Sequence, residues 1–455
     1  MYRKNAWKQY DKDEMQKVMN YAEEYKNFIT FGKTERLFAK KSIDLLKKNG
    51  FKNIDETKDL KVGDKVFAVN KNKNICAFII GSRDIEDGLR ILGAHIDSPR
   101  LDFKEHPFYE KEEFALADTH YYGGVKKYQW VTIPLALHGV ICKEDGTVID
   151  VNIGEDASDP VLGITDLLIH LSKDQMAKKL SEAITGENLD VTLGNIPIEG
   201  ENKDAVKLNI LKLLKDKYGV EEEDFLSAEI EVVPAGSARD FGLDRSMIAG
   251  YGHDDRSCAY SSLTALLEVK DVEYTACCCL VDKEEIGSVG ATGAKSLFFE
   301  NTVAKVAELM GKSSPLFAAR IAMENSRMLS SDVSAAVDPL YLSVSDKKNA
   351  AFFANGLVIN KYTGARGKSG SNDANPEYYA WVRSVLDNNQ VCWQNAELGK
   401  VDQGGGGTIA YILGNYNMNV IDAGIPVLNM HAPMEIISKA DLFEAFKGYI
   451  SFLKA

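Results

Sequence analysis

Two histidines and six carboxylates stand where apolar runs of this chain stop. His95 and Asp97 follow RILGA, Asp254 and Asp255 follow SMIAGYGH, Glu284 and Glu285 follow TACCCLVDK, Asp332 lies a few residues past IAMENS, and His431 follows IPVLNM. Imidazole and carboxylate together suit zinc, manganese or cobalt, and the lack of cysteine among them points to a catalytic rather than a closed structural site. The candidates run from position 95 to position 431, so no local spacing such as HExxH marks them as a set. Within DKEEIGS, Asp282, Glu284 and Glu285 are crowded together at the end of an apolar run. Neighbours in extended backbone point to opposite faces, so Glu284 and Glu285 are expected to do two different jobs. A solvated strand end is the plain alternative, and those residues alone leave it open.

Residues so scattered need a sheet to bring them together. From Asp11 to about Lys48 the apolar spacing is helical in two pieces, with Gly50 as a C-terminal cap. KVFAVN, NICAFIIG and RILGAHID read as three strands separated by turn residues. Further on, SSLTALLEV reads as helix, TACCCLV as strand, GAKSLFFENTVAKVAELM as helix and IAMENS as strand. Such alternation predicts an α/β fold, a mostly parallel sheet with helices on both faces, whose working residues gather at the carboxyl ends of strands. Between residues 101 and 243 the texture changes to β-rich pieces and one helical stretch from Lys203 to Tyr218, which reads as an inserted module. The expected division is therefore 1–100 plus 244–455, with 101–243 inserted. GGGG at Gly404 to Gly407 is read as a turn.

Composition narrows the class. At 455 residues and 45% hydrophobic content, two well-packed domains are expected. A net charge of -13 leaves no basic excess for nucleic acid or an acidic membrane surface. The start, MYRKNAWKQYDKDEM, lacks the apolar segment of a signal peptide, and no uncharged apolar run approaches the ~20 residues of a membrane span, so a cytoplasmic protein is expected. Cys277, Cys278 and Cys279, consecutive in a strand, read as reduced core residues.

The pieces GAHIDSPRLD, YGGVKKYQW, GHDDRSC, DKEEIGSVGATGA, SDVSAAVDP, YTGARGKSGSNDANPE and NMHAPMEIIS, in that order along nearly the whole chain, closely resemble the aspartyl aminopeptidase family of metallopeptidases. The resemblance implies a peptidase domain with two divalent metal ions, zinc first and cobalt or manganese as substitutes. It also implies an inserted dimerisation domain, and dimers built into a tetrahedral dodecamer. Carried over residue by residue, it gives His95 and Asp332 to one metal, Glu285 and His431 to the other, and Asp254 to both, since a carboxylate can offer one oxygen to each ion. Asp97 would accept the other N–H of His95. Glu284, turned away from Glu285, would be the general base in hydrolysis of an N-terminal peptide bond. Asp255 is expected to shape the backbone beside Asp254.

Other expectations from the resemblance are less sharply defined by the residues. His170, in DLLIHLSKD, would reach a neighbouring subunit's site and stabilise the oxyanion. Lys368 would face an acidic side chain on the substrate's first residue, with Lys361 and Arg366 close enough in sequence to be confused with it. GARGKSGSNDA departs from the pattern of eukaryotic members. His106, His120 and His138 have no ligand-like company, and His253 is expected to face away from Asp254. The alternatives are a general aminopeptidase or another binuclear-metal amide hydrolase, and, from a different class, a non-catalytic assembly scaffold.

Overall fold

The computed structural model describes residues 5–364 and 367–455, so Arg366 lies outside the described residues. By contact the chain separates into two compact units: 1–97 with 238–430 and 435–455, and 98–237 with 431–434. The insertion expected at 101–243 thus corresponds to a unit that begins and ends a few residues earlier and takes in the short segment that starts with His431.

The first unit is α/β. Asp11 caps the helix Lys12–Phe31 by accepting from the Glu14 amide at 2.8 Å, and Thr34 caps Glu35–Lys48 in the same way through Leu37. A nine-stranded sheet runs in the order Lys52–Asn53, Lys65–Asn70, Asn74–Ile79, Thr275–Val281, Leu89–His95, Arg327–Ser330, Asn419–Gly424, Leu357–Asn360, Trp393–Asn395. Its central strands Thr275–Val281, Leu89–His95, Arg327–Ser330 and Asn419–Gly424 are mutually parallel, while strands such as Lys65–Asn70 and Leu357–Asn360 join antiparallel neighbours, so the sheet is mixed. Alternation along Asn74–Ile79 explains how both faces are covered: Ile75, Ala77 and Ile79 pack into one core, Cys76 and Phe78 into another. The helices His253–Glu268 and Lys439–Leu453 fill the first core; Phe298–Leu309 and Pro315–Glu324 fill the second. All seven cysteines are free, and those of TACCCLV are buried in the strand.

Two local expectations are corrected. IAMENS is the end of the helix Pro315–Glu324 and its exit, because Pro315 starts a helix and Ala318, Ala319, Ala322 and Met323 repeat at helical spacing; the strand follows at Arg327–Ser330. Glu284 and Glu285 are not in extended backbone: Lys283 takes φ 68° and the chain turns into a 3-10 helix, Glu284–Ile286, that Gly287 closes at φ 96°.

A smaller five-stranded sheet in the same unit pairs Met247–Gly250 with Glu435–Ser438, with Gly250 opposite Glu435. The second unit is built on a six-stranded, wholly antiparallel sheet, in the order Val148–Ile153, Leu135–Cys142, Ala228–Pro234, Arg100–Lys111, Phe114–Tyr122, Val191–Gly194, with one long helix, Ala205–Tyr218. Among the described residues no helix is long and apolar enough to cross a membrane.

Candidate metal centre

Register decides which side chains meet. In the parallel core, His95 lies opposite Val281 and Gly93 opposite Ser330, so two strands end level and the third ends two residues earlier at the same edge of the sheet. The segments leaving them carry His95 and Asp97, Glu284 and Glu285, and Asp332. Ser331 is held there by its amide, which donates to the Gly93 carbonyl at 2.6 Å, and by the Ser262 hydroxyl at 3.2 Å.

His95, Asp254 and Asp332 are brought together, all buried, with one ligand atom from each within 4.8 Å of the others. The imidazole Nδ1 of His95 is 3.1 Å from the Asp97 carbonyl and 3.3 Å from Asp97 Oδ1. Both are acceptors for a proton on Nδ1, and on its other side the ring faces Asp254 Oδ1 at 3.3 Å and Asp332 Oδ1 at 3.9 Å through Nε2. Burial works against a charged His95, yet the carboxylates of Asp254, Asp97 and Asp332 outweigh it and hold the pKa well above the ordinary value. Burial, then the Asp255 carboxylate, pushes Asp332 well above the usual range. One imidazole nitrogen and converging carboxylates, without thiolate, are a donor set that fits a divalent ion such as zinc. Such an ion would be the compensating charge that lets these buried acids ionise side by side.

Ligand atoms of Asp254 and Glu285 also lie within 4.8 Å of each other. Asp97 reaches the same turn from behind: its Oδ1 accepts from the Glu284 amide at 3.1 Å and its Oδ2 from the Glu285 amide at 3.2 Å. Asp282, the third acid of the cluster, is turned inward. Its Oδ2 accepts from the Thr292 hydroxyl at 2.6 Å, and burial, with Glu35 and Asp97 nearby, raises its pKa to about 7.

The helix that carries Asp254 is anchored on every side. The Asp254 amide donates to Glu435 Oε2 at 3.0 Å, the His95 amide donates to Asp255 Oδ2 at 3.2 Å, and Arg256 Nε donates to the Ile96 carbonyl at 3.0 Å. Asp255 therefore fixes the backbone of His95. His253 pairs its Nδ1 with the Tyr25 hydroxyl at 2.6 Å and is kept neutral by burial, with a pKa lowered to about 3. Glu435 had no role from sequence; the signal was an acid opening an otherwise apolar strand, EIIS.

His431 belongs to the segment grouped with the second unit. Its Nδ1 lies 2.9 Å from the Gly124 carbonyl, which makes Nδ1 the protonated nitrogen. A Cβ at Gly124 would sit 3.3 Å from that nitrogen, so the YGG stretch leaves room for the ring. His170 is exposed in a short 3-10 turn, Ile169–Leu171, flanked by exposed Leu167, Leu168, Ile169 and Leu171. Lys368 Nζ lies 3.1 Å from Asp373 Oδ2. His138 is buried against Glu155 at 3.0 Å, while His106 and His120 are exposed.

Residues 28–453 match the family model for aminopeptidase I zinc metalloproteases, M18. A probable M18 family aminopeptidase 1 of Clostridium acetobutylicum is 55% identical over 455 residues, covering 99% of this chain and 98% of that protein. The crystal structure of an M18 family aminopeptidase from Thermotoga maritima superposes with a TM-score of 0.96 at 48% identity, over 100% of this chain and 99% of that one. At 21% identity the fold still matches that of the Saccharomyces cerevisiae mApe1 dodecamer, with a TM-score of 0.77 over 95% of this chain and 96% of that chain. With the family model spanning nearly the whole chain and the relatives aligned end to end, this protein belongs to the M18 family of zinc metalloaminopeptidases.

Proposed function

We propose that the chain removes single residues from the N-termini of peptides at a two-metal centre, with His95 and Asp332 on one ion, Glu285 and His431 on the other, and Asp254 shared between them. The observation that carries this reading is the placement of Asp254, which has one ligand atom within 4.8 Å of those of His95 and Asp332 and one within 4.8 Å of that of Glu285. A divalent pair bound there would supply Lewis acidity toward the scissile carbonyl and lower the pKa of a nearby water. The Glu284 carboxylate would act as general base toward the attacking water and then as general acid toward the leaving amine. Asp97 holds Glu284 and Glu285 in place through their amides and orients His95.

His170 is proposed to serve a neighbouring copy's site as a donor to the oxyanion. Its exposed apolar flank supports an interface there, and the dodecameric state of the yeast fold relative supports assembly of dimers into a dodecamer, with the inserted unit making the dimer contact. The reduced cysteines fit a cytoplasmic setting.

For the substrate's first side chain, Lys368 is proposed as the cation that receives an acidic group. A general aminopeptidase is the second reading, favoured by one observation: Lys368 is already ion-paired with Asp373.

The test is hydrolysis of a panel of aminoacyl amides by metal-reconstituted protein, each also offered with its amine acetylated. Turnover restricted to free amines supports an aminopeptidase; equal turnover of acetylated substrates would assign a different amide hydrolase, and no turnover of either would leave the scaffold reading.

A further inference from the structure

Two buried acids hold three consecutive backbone amides of the turn that bears the glutamates. The Lys283 amide donates to Asp282 Oδ1 at 2.8 Å, while the Glu284 and Glu285 amides donate to Asp97 at 3.1 Å and 3.2 Å. Asp282 also closes the loop that follows. Its Oδ2 accepts from the Thr292 hydroxyl at 2.6 Å, its own amide donates to the Thr292 carbonyl at 3.2 Å, and it forms a parallel bridge with Gly293. Residues 283–291, with Glu284 and Glu285 near their start, are thus a loop tied at its base by one side chain.

The far side of that tie is itself fixed. Asn74 Nδ2 donates to the Thr292 carbonyl and Asn70 Nδ2 to the Ala291 carbonyl at 2.7 Å, both from the tip of the hairpin Lys65–Asn70, Asn74–Ile79. A Cβ at Gly293 would stand 2.2 Å from the Ser288 carbonyl oxygen, so the loop folds back against its own base. Lys283, at φ 68°, is in a conformation that a residue with a side chain keeps only where its neighbours impose it. Asp282 imposes it at the Lys283 amide, and the Ser288 amide does so at the Lys283 carbonyl, 2.6 Å away.

We propose that Asp282, latched to Thr292, is a positioning residue for Glu284: it fixes where the backbone of the base leaves the sheet, and so where its carboxylate meets the attacking water. This deepens the reading of Glu284 as general base and rests on it. A general base must stand within hydrogen-bond reach of the proton it takes, so a small displacement of the loop lowers the rate. Metal binding is spared, because the Glu285 amide is held by Asp97 rather than by Asp282. The role is geometric and needs no charge. An asparagine at 282 can accept from the Lys283 amide on its oxygen and donate its amide hydrogen to the Thr292 oxygen, whereas an alanine can do neither.

The experiment measures kcat, KM and metal content of zinc-reconstituted protein with a leucyl amide, in wild type, Asp282→Ala, Asp282→Asn, Thr292→Val, Glu284→Gln and the double variant of Asp282→Ala with Glu284→Gln. Asp282→Ala should lower kcat by about 10–100-fold with KM and metal content unchanged. Asp282→Asn should restore kcat close to wild type. Thr292→Val, which keeps the shape and removes the hydroxyl, should fall in the same direction as Asp282→Ala. On the Glu284→Gln background Asp282→Ala should cost nothing further, because the group it positions is no longer a base. Wild-type kcat in Asp282→Ala overturns the proposal, as does a loss that Asp282→Asn shares in full, a fall in metal content, or a full further loss in the double variant. Should Asp282→Ala fail to fold, Thr292→Val takes its place in the same comparison, and wild-type kcat there is equally fatal. If Glu284→Gln keeps wild-type turnover, the Glu284 reading itself fails; if Glu284→Gln is slow while Asp282→Ala and Thr292→Val are not, the Asp282 inference fails alone.

Discussion

Asp97 accepts the backbone amide of Glu284 on one carboxylate oxygen, 3.1 Å away, while the other oxygen accepts from Glu285 at 3.2 Å. The Oδ1 that holds Glu284 also lies 3.3 Å from His95 Nδ1. One buried acid therefore ties the turn bearing the two glutamates to the histidine at the end of the neighbouring strand.

That connection makes Asp97→Asn informative. The amide keeps the shape but presents a donor where one of the glutamate amides needs an acceptor, leaving a buried N–H facing an N–H. Zinc affinity should fall by ~10–100-fold, as for other supports of ligating histidine, with turnover falling in parallel. Titration with a competing chelator measures the first and saturating-zinc kinetics the second. Unchanged affinity would mean the Asp97 contacts have no part in holding the centre.

The pair Glu284 and Glu285 should separate under substitution. Glu284→Gln removes a proton acceptor and no proposed ligand, so metal content should stay and turnover should drop by ~10²–10⁴. Glu285→Gln should lose metal first. Elemental analysis after dialysis, alongside kcat, distinguishes them, and equal metal loss in both would reverse the assignment of the two glutamates.

The sequence carried the strand ends of the central sheet plainly, because RILGAH and TACCCLV are apolar runs bounded by turn residues and parallel register then aligns whatever follows them. It was less clear where side-chain period alone had to decide. IAMENS is too short to separate strand from helix, and only Pro315 and the alanines before it tip the balance. The turn at Glu284 depends on a left-handed Lys283, which no local pattern announces. Glu435 could not be given its part, since it accepts from the amide of Asp254, a residue distant in the chain.

Assembly and catalysis should be linked through His170. His170→Ala should sediment like wild type, because the exposed apolar neighbours of the 3-10 turn carry the contact, yet turn over ~10²–10³ more slowly, the typical cost of removing an oxyanion donor. Dilution should lower wild-type activity before it lowers helix content by circular dichroism. A fully active monomer in sedimentation would end this part of the functional reading.

Asp422 gives a prediction about stability that is independent of metal. It is buried in the strand Asn419–Gly424, and burial raises its pKa from 3.8 to about 6, with the hydroxyls of Thr408 and Ser330 pulling the other way. A carboxyl with a raised folded pKa binds its proton more tightly in the folded state, so its penalty is absent at low pH and grows as pH rises from the unfolded pKa through the folded one. Above that window the ionised side chain costs on the order of 3 kcal/mol at ~1.4 kcal/mol per pKa unit. Asp422→Asn keeps the shape and never ionises. The variant should match wild type in thermal midpoint near pH 4, gain on it between pH 4 and 6, and stay a few degrees above it at pH 7.5. Because unfolding of a chain this long is prone to irreversibility, the comparison belongs at one scan rate, with unfolding rates at fixed temperature as a second readout. Midpoints that differ by the same amount at every pH would mean Asp422 does not titrate in this window.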